Sequence, residues 1–177
     1  MTLDRDGFFF LLWKSPAGTI GLVAKQDSLV EIVFQADPAM IKEQILRKYP
    51  EAKERENTLL QRAAGQLQDY FDGRRRQFDL PLDFSSLPAF TRKVLTRLSR
   101  VDYGRTLTYG ELASLAGSPQ AARAVGRAMA TNPFPIVVPC HRVVGGGGKL
   151  TGYSGGKGLA TKQWLLDFEK QRAGQEE

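Results

Sequence analysis

The chain holds one cysteine and one histidine, and they are neighbours: Cys140-His141. A single cysteine cannot close an intrachain disulfide, and two ligand-type residues cannot build a structural zinc site, so no metal is expected. What one cysteine can do alone is attack an electrophile, provided the thiol gives up its proton. A lone cysteine is more often a small buried hydrophobe than a nucleophile, so its surroundings must decide. Cysteine hydrolases bring their histidine from far away in the sequence. This chain has no second histidine to bring, which excludes a papain-like protease. In an extended chain His141 points away from Cys140, whereas Arg142 lies on the cysteine's side, where its charge would lower the thiol pKa. If His141 is the base, a bridging water or a bend must connect it to the thiol. The alternative is a buried, hydrogen-bonded structural imidazole.

The elements that position this pair read clearly on its N-terminal side. Asn132-Pro133-Phe134-Pro135-Ile136-Val137-Val138-Pro139 is too rich in proline for a helix and reads as a rigid, extended, apolar segment leading to Cys140. Before it, Thr108-Tyr109-Gly110-Glu111 fits a capping box opening a short helix through Leu115, which stops at Gly117. Ser118-Pro119 then reads as the start of another helix running to Ala130, with Ser118 as cap. Two short helices joined by a glycine-containing turn make a helix-turn-helix. The second, Ala121 to Ala130, has almost no bulk apart from Arg123, Arg127 and Met129. Such a helix either packs tightly against another helix or lies close to something outside the protein, and on a basic domain that is a nucleic acid groove.

Charge supports the second option without proving it. Residues 1–87 carry 12 basic and 13 acidic residues, while residues 88–177 carry 13 and 6, so the +6 of the chain sits in its second half. A basic half beside a neutral one fits a polyanionic partner, though a merely soluble basic surface would look the same. The first half reads as three short strands (8–13, 18–24, 29–34), a helix from Asp37-Pro38 to about Tyr49, and a second helix from about Thr58 to Phe71. The triple Arg74-Arg75-Arg76 reads as a solvated turn. Residues 77–88, with Pro81 and Pro88, read as a linker, dividing the chain into domains 1–87 and 88–177. No apolar run is long enough to span a bilayer. Acidic Asp4 and Asp6 at the start argue for an opening strand rather than a secretion signal, so a cytoplasmic protein is expected.

Pro139-Cys140-His141-Arg142-Val143 resembles the signature of the O6-alkylguanine-DNA alkyltransferases (methylated-DNA–protein-cysteine methyltransferases). It comes with Thr108–Ala113, Ala121–Gly126, Asn132-Pro133 and Gly152–Gly156 in that family's order, covering about residues 88–170. The resemblance implies an α+β protein: a small N-terminal domain with a short antiparallel sheet, then a mostly helical, winged helix-turn-helix-like domain. It implies single-turnover transfer of an alkyl group from flipped O6-alkylguanine to Cys140, and leaves open whether O4-alkylthymine is also accepted. By resemblance, Glu169 orients His141, which activates Cys140 through a water, and Tyr109 donates to the departing guanine. Asn132 holds the backbone leading to the cysteine. Ala121, Ala122, Ala124 and Gly126 permit close approach to the minor groove, with Thr108 and Tyr109 also at the DNA. Arg123 fills the vacated stack. Pro139, Arg142, Tyr153 and Ser154 line the pocket. No cofactor is implied. The partner is duplex DNA bearing alkylated guanine, and a monomer is expected, with cooperativity on DNA left open. The run Gly155-Gly156-Lys157-Gly158-Leu159 is longer than the usual pattern, which leaves the register of that loop unset. A lesion reader that binds without transferring would lack the cysteine. A sequence-specific regulator would carry more base-reading side chains on its second helix.

Overall fold

The computed structural model describes residues 6–176; the reading of Met1–Arg5 as a lead-in to a strand lies outside them. The chain divides into two compact units between Phe84 and Ser85. In the first, β1 (Phe8–Ser15), β2 (Gly18–Lys25) and β3 (Ser28–Gln35) form the expected antiparallel meander. A fourth strand, β4 (Lys53–Glu54), pairs parallel to β1, giving the order β3-β2-β1-β4. Two exposed charged residues carry no alternation of apolar and polar positions, so the sequence pattern had nothing to announce β4 with.

Helix α1 (Pro38–Lys48) begins where the Asp37 carboxylate accepts a hydrogen bond from the Ala39 N–H at 3.0 Å. It lies close on the sheet because β2 has a glycine beneath it. A Cβ at Gly21 would sit 2.6 Å from Ile41 Cγ2 and 2.9 Å from Ile45 Cδ1. Phe10, Val23, Val33, Ile41 and Ile45 are buried there together. Trp13, of opposite parity along β1, faces the other way. Its ring meets Phe71 of α2 (Thr58–Phe71) at 6.0 Å. Part of the expected linker completes this unit: the Leu29 N–H donates to the Pro81 carbonyl and the Asp83 N–H to the Leu29 carbonyl, both at 2.9 Å.

The second unit contains α3 (Ala89–Leu98), β5 (Leu107–Thr108), α4 (Tyr109–Leu115), α5 (Ala122–Ala130), β6 (Val143–Val144) and α6 (Leu159–Ala173). Val94, Leu95 and Leu98 of α3, Leu112 and Ala113 of α4, and Val125 and Ala128 of α5 are buried. The Thr108 capping box is complete, with Glu111 N–H donating to Thr108 Oγ1 and Thr108 N–H donating to the Glu111 carboxylate. Helix α5 starts later than the sequence suggested. Ser118 to Ala121 form a turn closed by an Ala121 N–H to Ser118 carbonyl bond at 2.9 Å, so Ala121, not Ser118, precedes the first helical residue. β5 and β6 pair in parallel, Leu107 with Val143 and Thr108 with Val144, tying the start of α4 to the chain just after the cysteine. Among the described residues no helix is long and apolar enough to cross a membrane.

Candidate active site

Cys140 is buried and opens a single 3-10 turn, Cys140–Arg142, instead of continuing an extended strand. The approach is folded too. Val138 N–H donates to the Phe134 carbonyl and Cys140 N–H to the Val138 carbonyl, each at 2.8 Å. Ile136 sits in the left-handed region at φ 72° with its side chain buried, a conformation that is costly for a β-branched residue and persists only when its surroundings impose it. Asn132 supplies part of that constraint. Its Nδ2 donates to the Val138 carbonyl at 2.9 Å, and its Oδ1 accepts from the Phe134 N–H at 3.0 Å. The amide therefore staples both ends of the loop that delivers the thiol.

The 3-10 turn corrects the expected placement of Arg142. With about three residues per turn, alternate side chains do not share a side as they do in a strand. The Arg142 guanidinium is committed elsewhere, through Nε to Glu169 Oε2 at 2.9 Å, Nη2 to Oε1 at 2.8 Å and Nη1 to the Val101 carbonyl at 2.7 Å. It stacks over the Tyr103 ring as well. Arg142 is thus part of the support behind the histidine, not the cation beside the thiol.

Glu169 of α6 is the hub of that support. Besides Arg142 it meets His141 Nε2 at 2.8 Å and accepts from the Gly104 N–H at 3.2 Å. Burial opposes ionisation of this carboxyl, but His141 and then Arg142 outweigh it and hold it well below the usual carboxylate range. His141 is fully buried, and burial pushes its imidazole below the ordinary value despite Glu169. A neutral imidazole facing a carboxylate through Nε2 carries its proton there, which leaves the Nδ1 lone pair as the basic site. Nδ1 has no hydrogen-bond partner among the described residues. The resting thiol is not pre-ionised: burial pushes Cys140 up, while the Asn132 amide and the charge of Lys162 pull it back only in part. An atom able to accept its proton is what this thiol needs.

Lys162, on α6 two turns before Glu169, was not singled out from the sequence. It is buried, and its ammonium donates to the carbonyls of Val143 at 2.6 Å, Thr151 at 2.7 Å and Gly152 at 3.3 Å. It is the positive charge acting on Cys140. A signal existed: Lys162, Leu165 and Glu169 fall on one helical face, so a lysine stood inside an otherwise buried stripe.

Tyr153 has a buried hydroxyl with no hydrogen-bond partner among the described residues, and burial, then Cys140, raises its pKa well above the ordinary value, so it is a neutral phenol at the site. Pro139 is buried beside the cysteine turn, while Ser154 is exposed. Tyr109, at the first position of α4, donates to the Thr151 carbonyl at 3.3 Å and accepts from the Thr151 hydroxyl at 3.2 Å. On α5, Arg123 and Arg127 are exposed and make no ion pair among the described residues, while Ala122, Ala124 and Gly126, with Ala121 at the cap, are half-buried. A Cβ at Gly126 would meet nothing within 4 Å. Glycine inside a helix costs about 1 kcal/mol against alanine, and nothing inside the protein calls for it at this position. Among the described residues no cluster of three or more His, Cys, Asp or Glu could hold a metal ion.

Comparison with known proteins agrees along both units. Residues 89–171 match the family described as 6-O-methylguanine DNA methyltransferase, DNA binding domain, and residues 9–84 match 6-O-methylguanine DNA methyltransferase, ribonuclease-like domain. The constitutive methylated-DNA–protein-cysteine methyltransferase of Bacillus subtilis is 39% identical over 163 residues, 92% of this chain and 95% of its own. The methylated-DNA–protein-cysteine methyltransferase of Methanosarcina acetivorans is 37% identical over 161 residues, 91% of this chain and 97% of its own. Among solved structures, the O6-methylguanine methyltransferase of Mycobacterium tuberculosis superposes with a TM-score of 0.78 at 36% identity, covering 93% of this chain and 94% of that one. A structure of the Mycobacterium tuberculosis protein in complex with DNA matches with the same score and coverage.

Proposed function

Because the chain belongs to the 6-O-methylguanine DNA methyltransferase family, we propose that Cys140 is the alkyl acceptor and His141 Nδ1 the base that frees it. The protein performs direct-reversal repair: an alkyl group leaves the O6 atom of guanine in DNA for a cysteine of the protein. The Cys140 proton passes, through a bridging water, to Nδ1, and the imidazolium that forms is stabilised by the Glu169 carboxylate. Sulfur then attacks the alkyl carbon. The S–C bond forms as the C–O6 bond breaks, and the electron pair leaves with the guanine, which takes a hydrogen bond from Tyr109. The thioether does not reverse, so each molecule turns over once. The lesion must leave the base stack to reach a thiol held this deep. Arg123, free on the outer face of α5, takes its place in the stack, and the Gly126 face lies against the minor groove. Tyr153 and Pro139 wall the pocket, with Ser154 at its mouth. The protein acts as a monomer in the cytoplasm.

The observation that carries this reading is one atom: a buried imidazole nitrogen with no hydrogen-bond partner among the described residues, on the residue next to the lone thiol, behind which a carboxylate fixes the tautomer. Intact-protein mass spectrometry after mixing with an oligonucleotide containing O6-methylguanine tests it. One methyl group per molecule, mapped to Cys140, is expected. Binding without any gain in mass would make the site a lesion reader and overturn the transfer assignment.

A further inference from the structure

Tyr109 is not held by its own helix. Among the described residues its hydroxyl hydrogen-bonds only with Thr151, a residue 42 positions away in the loop between β6 and α6, which grips it twice. The two bonds have different consequences. The Thr151 hydroxyl fills a lone pair of the phenol oxygen, and a donor placed there polarises the O–H and strengthens it as a donor in turn. The Thr151 carbonyl receives that O–H, but at a long 3.3 Å, and the same carbonyl already takes the Lys162 ammonium at 2.7 Å. Charge-assisted bonds are the stronger ones, so the phenol holds the weaker share of this acceptor. Its proton is aimed and polarised, yet easily surrendered to a better acceptor.

Lys162 makes the arrangement rigid. Its ammonium joins the Val143 carbonyl, directly after the cysteine turn, to the Thr151 and Gly152 carbonyls, directly before Tyr153. The phenol oxygen also lies above Gly152, where an added Cβ would sit 3.9 Å from it. The loop that carries Thr151 is therefore fixed at the same buried cation whose charge acts on Cys140. The geometry points to Thr151 as the positioning residue that sets Tyr109 for donation to the departing guanine, with Lys162 holding Thr151 in place. This inference rests on the reading of Tyr109 as the leaving-group donor.

The test is a double-mutant cycle on single-turnover transfer from O6-methylguanine duplex, with duplex affinity measured in parallel. Thr151→Val keeps the shape and removes the hydroxyl. It is expected to slow transfer about tenfold, a fraction of the roughly 10²–10⁴-fold that a full general-acid contribution supplies, because the phenol itself remains, while leaving affinity unchanged. Thr151→Ser restores most of the rate. In a Tyr109→Phe background, Thr151→Val adds no further loss, because the hydroxyl it removes has nothing left to orient. Losses that multiply, or a Thr151→Ser variant as slow as Thr151→Val, would make Thr151 a packing residue and overturn the inference. Full-rate transfer by Tyr109→Phe alone would instead remove the underlying reading of Tyr109.

Discussion

The two units handle charge in opposite ways. In the first, many surface cations are answered by neighbouring acids: Lys42 by Glu54, Arg47 by Glu43, Lys48 by Glu31, Arg62 by Asp79, and Arg74 by Asp69 and Asp72. Its buried polar side chains, Thr19 and Gln66, are uncharged. In the second, exposed Arg92, Arg97, Arg123 and Arg127 make no salt bridge among the described residues, while His141, Arg142, Lys162 and Glu169 are all buried. Burying charge is expensive and does not by itself stabilise a fold. A unit that buries these groups and leaves those four arginines without an acid among the described residues is built for chemistry inside and a polyanion outside. In the triple arginine at 74–76, read from the sequence as a solvated turn, Arg74 and Arg75 are turned back onto Asp69.

The sharpest way to break this contrast is at the buried groups. Cys140→Ser should abolish transfer while duplex binding persists; any residual methylation of the variant would place the acceptor elsewhere. Arg123→Ala should slow repair of duplex on the order of tenfold or more, since unstacking a base costs a few kcal/mol. The same variant should act almost normally on single-stranded substrate. Equal losses on both substrates would count against a stack-filling role. Glu169→Gln leaves Arg142 and His141 buried without their anion and should cost about 3 kcal/mol of stability, read from the urea midpoint.

That carboxylate also sets a pH dependence. Glu169 and His141 both have folded-state pKa values below their ordinary 4.5 and 6.5. Below those values the unfolded chain therefore binds more protons than the folded one. The stability they contribute is present above about pH 6.5 and is lost on acidification, first in the histidine window and then below about pH 4.5. Glu169→Gln should remove the lower part of that loss. A urea midpoint that rises on acidification would show the imidazole to be charged in the fold.

How much of this was legible depended on whether a feature lived in local pattern or in distant contact. The Thr108 capping box, the Asp37 cap and the meander are local, and each was readable from residue types at fixed spacing. The glycine at 126 was readable as small, though only the structure shows that nothing inside the protein crowds it. The 3-10 turn at Cys140 was not readable, because prolines exclude a helix without choosing between strand and turn; Arg142 was misplaced as a consequence. The partners of Lys162 are backbone carbonyls, which carry no residue identity for a sequence to display, and the Thr151–Tyr109 contact joins residues 42 positions apart. The resemblance named Glu169, but the fact that one carboxylate serves both His141 and Arg142 is tertiary.

The smallest expected effect sharpens the surface half of the comparison. If the free cations of the second unit meet phosphates, each one removed should release fewer counterions on binding. Arg127→Ala should then reduce the slope of log affinity against log salt by about 0.9 for duplex DNA. Arg47→Ala, whose guanidinium is already answered by Glu43 at 2.6 Å, should leave that slope unchanged. The two variants remove the same side chain from exposed positions on helices, so total charge alone cannot separate them. If both shift the slope equally, only net charge matters, and the difference in pairing between the two units has no bearing on DNA binding. A shift confined to Arg127 assigns the phosphate contact to the outer face of α5, the face on which Gly126 leaves room for it.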